Sequence, residues 1–507
     1  MSGRIAACLI LICLLFAAQV GAAGLQEQLF LAAAKGSLEA IKSAVKSGVS
    51  PDCRDRENGM TPLMVAARDG QLEAAVMLMY LGATIDARDN KGRTALMFAC
   101  EQGHQALAAA LADAKADVNA ADKIGRTAIW YAERNGHEKI AGMLVSYGAE
   151  LTTSKTKGSP DTEDEFYKVT VHYATNRKAL NEGGQGRISG FGNSMNERLS
   201  YGTCSVSIPK DHVPGEIESP RFYLLELSDD PKKHITLLGI TGQDEKEYFR
   251  TLKERLNKGV GKELLIFVHG FNVGFTDAAK RTAQLAFDLD FKGAPLFFSW
   301  PSTESLFQYK DDKERIDKTI PLLKEFLRNV VLHAPGAEIN IIAHSMGTYG
   351  LTNALKNLVD EMKAGDAQVR FNQIILAAPD IDGKVFKEQI VPSIKKAANR
   401  ITVYASSKDL ALLISKYVNS GQRVGDTNPE ILVFDGIDSI DVSGVDSSTL
   451  GHSYYGDNSS IIMDIKSVIG KEPPEQRTFL KIEQNKLSKI RYWLFNPVNI
   501  ENAVYSQ

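Results

Sequence analysis

Ile339-Asn-Ile-Ile-Ala-His-Ser345-Met-Gly347 is an apolar, β-branched run that passes directly into a helical pattern. As a strand ending in a sharp turn to helix, it would lift the Ser345 hydroxyl out of a sheet and present it as a nucleophile. Small residues two places to either side let the backbone turn that tightly. Here they are Ala343 and Gly347. Alanine departs from the usual glycine at the first of them but keeps the crowding low. Such a short string arises by chance in long chains, so the residues placed around it must carry the reading.

Of the nine histidines, only His452 lies C-terminal to Ser345, in Gly451-His-Ser-Tyr-Tyr455. A triad in the chain order serine, acid, histidine needs its base there. A histidine in a loop is otherwise an ordinary solvated side chain. His452 is therefore the expected general base, taking the Ser345 proton on attack and returning it to the leaving group. The acid should end a strand between the two. Asp409 closes Ile401-Thr-Val-Tyr-Ala-Ser-Ser-Lys-Asp409, and Asp380 follows Phe371-Asn-Gln-Ile-Ile-Leu-Ala-Ala-Pro. Asp409 is favoured by its place, and Asp380 stays open as the alternative. Upstream, Leu264-Leu-Ile-Phe-Val-His269-Gly270-Phe271-Asn272 is a buried strand running into a glycine turn. That loop would supply the Phe271 N–H to an oxyanion hole, with the Met346 N–H as its second donor. His269 itself reads as structural.

Several segments together carry a family resemblance. They are Val171-His-Tyr-Ala-Thr-Asn-Arg177, Tyr201-Gly-Thr-Cys-Ser-Val-Ser-Ile-Pro209, His269-Gly-Phe-Asn272, Phe298-Ser-Trp-Pro-Ser302, Ala343-His-Ser-Met-Gly347 and His452-Ser-Tyr-Tyr455. Over residues 167 to 465 the chain resembles a bacterial family of α/β-hydrolases of unknown function, related to esterases and lipases. The resemblance implies that fold, a serine triad and hydrolysis of an ester or related acyl bond. It implies no particular substrate.

The N-terminal part has a different rhythm. Thr61-Pro-Leu-Met, Thr94-Ala-Leu-Met and Thr127-Ala-Ile-Trp recur every 33 residues, and Gly70, Gly103 and Gly136 keep the same period. This resembles ankyrin repeats, each a turn near Gly59, Gly92 or Gly125 followed by two short antiparallel helices. A degenerate unit from Leu25 to Val49 would cap the stack. The resemblance implies a surface for a protein partner, with Arg88, Asp89, Asn90, Lys91 and Arg93 as natural contact points; a stack that only spaces the enzyme would look the same.

The expected order is a signal peptide at 1–23, ankyrin repeats at 25–151, a polar linker at 152–166 and an α/β-hydrolase domain at 167–507. Arg4 followed by an apolar run from Ile5 to Ala18, with Gly21 and Ala23 ahead of the cut, reads as a secretory signal. The product would be periplasmic or secreted, with no membrane span after cleavage; an uncleaved anchor is the alternative. Cys53, Cys100 and Cys204 would then remain, an odd number that leaves at least one unpaired. Cys100 and Cys204 read as small core residues. No cysteine–histidine spacing suggests a metal, no glycine motif suggests a phosphate cofactor, and a net charge of −3 without a basic stripe argues against nucleic acid.

Within the hydrolase part, early strands at Val169–Tyr173, Thr203–Ile208, Tyr223–Leu227 and Thr236–Ile240 run together as an antiparallel edge would. Later ones, at Leu264–Val268, Pro295–Ser299, Ile339–Ala343, Asn372–Ala377, Ile401–Tyr404 and Ile431–Phe434, alternate with helices, as a doubly wound, mostly parallel sheet requires. Only about twenty residues, Ile381 to Arg400, separate two strands where a large lid is often inserted, so an accessible cleft is expected. Pro301 to Lys318, with Phe307 and Tyr309, could wall one side of it. Phe298 and Trp300 read equally well as core and as acyl-pocket lining. The whole reading is an exported serine hydrolase of acyl esters, small or lipid. Its rival is an inactive hydrolase-fold scaffold whose ankyrin stack binds a partner.

Overall fold

The structure, a computed structural model of the chain, describes residues 24–149, 166–182, 187–219, 229–258, 262–303, 308–361, 371–419, 421–445, 454–485 and 488–496. The expected signal segment, nearly all of the linker, the Tyr223–Leu227 strand, Phe307 and His452 lie outside the described residues. The chain divides into two compact units, the first with the N-terminal helices and the second with the sheet.

In the first unit, α1 (24–35) and α2 (Leu38–Lys46) lead three helix pairs. These are α3 (Pro62–Arg68) with α4 (Leu72–Tyr80), α5 (Ala95–Gln102) with α6 (Gln105–Asp113), and α7 (Ala128–Arg134) with α8 (Glu138–Ser146). The periodic threonines start each pair. Thr61 Oγ1 accepts from Met64 N, and Thr94 Oγ1 accepts from Met97 N, while Pro62 sits where no helical N–H is needed. Helices so short are not stable alone; their buried faces are completed by the next repeat. The turns between repeats are joined by backbone bonds, Asn90 N to Asn58 O and Lys123 N to Lys91 O. That pairing corrects part of the expected contact surface. Asp89 is buried and accepts from the Arg93 backbone and side chain, and Arg88 donates to Ala121 O. Arg88, Asn90 and Lys91 remain exposed. Cys53, Cys100 and Cys204 are all free and buried.

The second unit is built on one sheet of eleven strands, in the order β10-β11-β9-β8-β7-β6-β4-β5-β1-β2-β3. In chain order they are β1 (Phe166–Glu182), β2 (Arg187–Pro209), β3 (Thr236–Gln243), β4 (Glu263–Val268), β5 (Ala294–Ser299), β6 (Glu338–His344), β7 (Phe371–Ala377), β8 (Ala398–Ala405), β9 (Asp438–Asp441), β10 (Leu480–Gln484) and β11 (Arg491–Phe495). The helices between them are α9 (Glu245–Lys258), α10 (Phe275–Asp288), α11 (Tyr309–His333), α12 (Met346–Asp360), α13 (Gly383–Val385), a π-turn at Phe386–Ile390, α14 (Val391–Ala397), α15 (Leu410–Asn419), α16 (Tyr454–Asp457) and α17 (Ser459–Ile469). β4 to β9 pair in parallel, whereas β1, β2 and β3 form the expected antiparallel side. β4, β6 and β7 are near-continuous apolar runs because helices cover both faces. Each fully buried Ile or Leu in them contributes about 1.5–3 kcal/mol. Among the described residues no helix is long and apolar enough to cross a membrane.

One expectation changes, and two features go beyond what was expected. Ile431–Phe434 is not a strand; Ile431 and Phe434 are buried, but the segment is irregular and Phe434 packs edge-on against Phe386. The strand that pairs with β8 is instead Asp438–Asp441, whose acidic sequence carries little strand propensity. Beyond His452 the chain adds β10 and β11, of which β11 extends the sheet in parallel with β9. Finally, the Pro301–Lys318 segment becomes, from Tyr309 onward, the first turns of α11.

The loop after β2 is held to α10 by His212. Its Nδ1 faces Glu218 at 2.8 Å and its Nε2 faces Asp288 at 2.7 Å. Burial alone would lower this histidine's pKa, but the hydrogen bonds to Asp288 and Glu218 outweigh it and raise the pKa to about 9. A raised pKa means the stabilisation is full below the unfolded value near 6.5 and disappears as pH rises through about 9. We therefore expect the thermal midpoint of the wild type to fall from pH 6.5 to pH 9 more steeply than that of His212→Gln. Equal slopes in the two proteins would contradict the charged pairing.

Candidate active site

β6 ends at the carboxyl edge of the sheet and the chain turns at Ser345 into α12. Ser345 has φ 51° and ψ −127°, a region that side chains rarely occupy and that marks stored strain. Its neighbours hold it there. Ser345 N donates to Ala377 O at 2.9 Å, and Ser345 O accepts from Thr348 N at 3.0 Å and Thr348 Oγ1 at 2.6 Å. Asp380 N approaches the same carbonyl at 3.4 Å. Two glycines provide the room. A Cβ on Gly347 would stand 2.2 Å from His269 O, and one on Gly270 would stand 2.8 Å from Ser345 Cβ. The elbow and the loop after β4 therefore interlock. Ala343, wholly buried between Val268 of β4 and Leu376 of β7, fits without strain at the position where glycine is usual.

Ser345 is only 1% exposed. The expected accessible cleft is corrected on this point. The connection at 381–397 is indeed short and helical and makes no lid. Ser345 is nevertheless buried; Gly270 leaves no room for a side chain beside its Cβ, and Asp380 N approaches its carbonyl. On the same edge of the sheet, β1 (three strands away from β6) and β2 run on together from Arg177 to Glu182, past the last β1–β5 pair at Thr175–Ser299. Phe298 and Trp300 are fully buried and belong to the core.

His269 is structural. Its Nδ1 lies 2.7 Å from Gly270 O and must donate to it, while Nε2 accepts from Trp300 N at 3.1 Å. The ring stacks on Trp300 at 5.3 Å. Burial, helped by the nearby Arg177 charge, lowers its pKa to about 3, so the imidazole is neutral at ordinary pH. Phe271, the expected oxyanion donor of this loop, is half-buried with its ring edge-on to Tyr309 at 5.8 Å. Met346, the other, opens α12, where the first N–H groups of a helix have no partner within it.

The two candidate acids differ in what surrounds them. Asp380 Oδ2 accepts from Tyr309 at 2.6 Å; Oδ1 accepts from Ser415 and lies 3.5 Å from Arg423 Nε. Both its oxygens are thus engaged in a buried polar cluster. Asp409, also buried, follows β8 and caps α15 by accepting from Leu412 N at 3.0 Å. The Asp409 charge also helps to raise the Tyr454 pKa, although burial is the larger cause.

His452 itself is not described, but α16 after it is firmly seated. Tyr454 Oη donates to Tyr404 O at 2.9 Å and accepts from Ala378 N at 3.1 Å, which ties it to the ends of β8 and β7. Tyr455 lies against the His344 ring at 4.6 Å, one residue before the serine, and Asp457 pairs with Arg281 at 2.6 Å. Reading the sequence missed Ser415, Arg423 and Asp312, which sit in helices and loops without local pattern, and placed Tyr309 on a cleft wall without its bond to Asp380. Arg177 and Ser302 were visible in the quoted segments, though not what they touch.

Comparison with known proteins agrees with this architecture. Residues 244–471 match the model of the family described as an alpha/beta hydrolase of unknown function (DUF900). Residues 29–122 and 75–155 match the model for ankyrin repeats in three copies. An uncharacterized protein of Nostoc sp. (strain PCC 7120) is 26% identical over 148 residues, which are 24% of this chain. The match spans 38% of that relative's length.

Proposed function

We propose that this chain, in which ankyrin repeats precede an α/β-hydrolase domain, is an exported serine hydrolase that cleaves ester or related acyl bonds. The observation that carries this reading is Ser345. It is held at positive φ on a strand-to-helix turn, and the turn is interlocked by two glycines with the loop that would supply an oxyanion donor. In the proposed reaction Ser345 Oγ attacks the acyl carbon while His452 takes its proton. Asp409 orients the imidazole and stabilises the imidazolium, and the Phe271 and Met346 N–H groups hold the oxyanion. Collapse of the tetrahedral adduct expels the alcohol with the proton from His452, and water releases the acyl group by the same steps in turn. The ankyrin stack would hold a protein partner, and cleavage after Ala23 would leave Gly24 as the mature N-terminus.

The engagement of both Asp380 oxygens supports Asp409 as the triad acid. On that assignment Asp409→Asn lowers kcat by roughly 10⁴-fold. Asp380→Asn should retain most of it. Steady-state kinetics of the two variants decides, and the opposite ranking would move the acid to Asp380.

The covered position of Ser345 is what favours the rival reading of an inactive scaffold. A fluorophosphonate probe separates the two. Labelling of mature wild type, lost in Ser345→Ala and His452→Ala, is the expected result. A folded wild type that stays unlabelled would leave partner binding by the stack as the function.

A further inference from the structure

The segments Thr175-Asn-Arg177 and Ser299-Trp-Pro-Ser302 take no part in the triad, yet the fold brings them to one place, the loop after β4. Three groups grip that loop. His269 Nδ1 donates to Gly270 O at 2.7 Å. Arg177 donates from one terminal nitrogen to Val273 O at 2.6 Å. Between them the Asn272 N–H faces the carboxylate of Asp312, on the first turn of α11, and helps to stabilise its charge. Asn272 is at φ 56°, so the backbone is unfavourable just where it is fastened on both sides.

The groups that grip are themselves locked. Asp312 and Arg177 are both completely buried. Asp312 Oδ2 accepts from Ser302 Oγ at 2.6 Å, and Oδ1 accepts from Thr303 N at 2.7 Å. Arg177 Nε donates to Ser299 Oγ at 2.9 Å, and Ser299 Oγ lies 3.1 Å from His269 Nε2. Thr175 Oγ1 donates to Ser299 O at 2.6 Å. A buried carboxylate and a buried guanidinium are costly to desolvate unless their hydrogen-bonding capacity is met. Here it is met by Gly192 O of β2, by Ser299, Ser302 and Thr303 at and after the end of β5, and by the one loop that leans on Ser345.

We infer that Asp312, with Ser302 and Arg177, forms a cradle of positioning residues that aims the Phe271 N–H at the oxyanion. This rests on the serine-hydrolase reading. None of the three touches the substrate; they act by fixing the peptides on either side of Phe271. Misplacing such a donor by about an ångström costs up to roughly a hundredfold in rate and little in ground-state binding.

The test uses the full mature protein and p-nitrophenyl acetate, with Asp312→Asn and Ser302→Ala. Asp312→Asn keeps the shape but replaces one acceptor oxygen by an amide NH2 facing donors, and Ser302→Ala removes a single support. The expected result is a kcat about 10- to 100-fold lower in Asp312→Asn and several-fold lower in Ser302→Ala, with KM within about twofold of wild type. Inhibition by phenylboronic acid, which needs a tetrahedral adduct, should weaken in proportion to kcat. If Asp312→Asn does not fold, Ser302→Ala decides by the same readouts. Folded variants with wild-type kcat, or with KM and kcat worsened together and boronic acid unaffected, would overturn the cradle while leaving Ser345 as nucleophile. A wild type that neither turns over ester nor reacts with fluorophosphonate would overturn the hydrolase reading, and the cradle with it.

Discussion

Ser345→Ala should lower turnover of a short-chain acyl ester by on the order of 10⁶-fold with the fold intact. The size of the effect follows from the proposed chemistry. Without Oγ there is no acyl-enzyme, and only the oxyanion donors and simple binding are left to assist water. The fold should survive because alanine meets much the same backbone strain at φ 51° as serine does. The bonds holding the turn, from Ser345 N to Ala377 O and from Thr348 to Ser345 O, are also backbone or Thr348 groups untouched by the change. Turnover within tenfold of wild type, in protein free of contaminating esterase, would place the nucleophile elsewhere.

Arg477→Ala should destabilise the hydrolase unit by about 3–5 kcal/mol, the largest loss we expect from a single substitution outside the site. Arg477 and Asp464 are both completely inaccessible. Nε donates to Oδ1 at 2.9 Å, and a terminal nitrogen donates to Oδ2 at 2.5 Å. Tyr404 Oη donates to the same Oδ2 at 2.6 Å, so the pair joins α17 to β8. Removing the guanidinium leaves Asp464 charged in an apolar interior with one neutral donor. Urea unfolding followed by tryptophan fluorescence should show the lower midpoint. Replacing both members, Arg477→Leu with Asp464→Leu, should recover most of the loss, since a hydrophobic pair escapes the desolvation cost. A loss below about 1 kcal/mol in the single variant would show that water reaches Asp464.

Where the sequence was legible, the physical signal was local. The 33-residue period survives because every ankyrin unit solves the same packing problem, with threonine at the start of its first helix. The apolar runs of β4, β6 and β7 were plain because both faces of a parallel sheet are covered. The elbow was plain because few residues tolerate such a turn beside another backbone. β9 failed for the opposite reason. Asp-Ser-Ile-Asp has no strand pattern, and it pairs only because β8 and β11 offer an edge on each side. Buried Ile431 and Phe434 nearby satisfied the apolar pattern of a strand while packing as irregular chain.

The sequence by itself determined that an ankyrin stack precedes an α/β sheet, and that Ser345 stands at the turn from strand to helix. Each of these depends on residues a few positions apart, whose spacing is written directly in the chain. Tertiary structure alone decided that Asp380 is tied up by Tyr309 and Ser415, that Ser345 is covered, and that Arg177 and Asp312 grip the loop after β4. Tyr309 and Asp380 are 71 residues apart, and Arg177 and Val273 are 96. Contacts closed over such lengths depend on how the elements pack, and leave no periodic trace in the sequence.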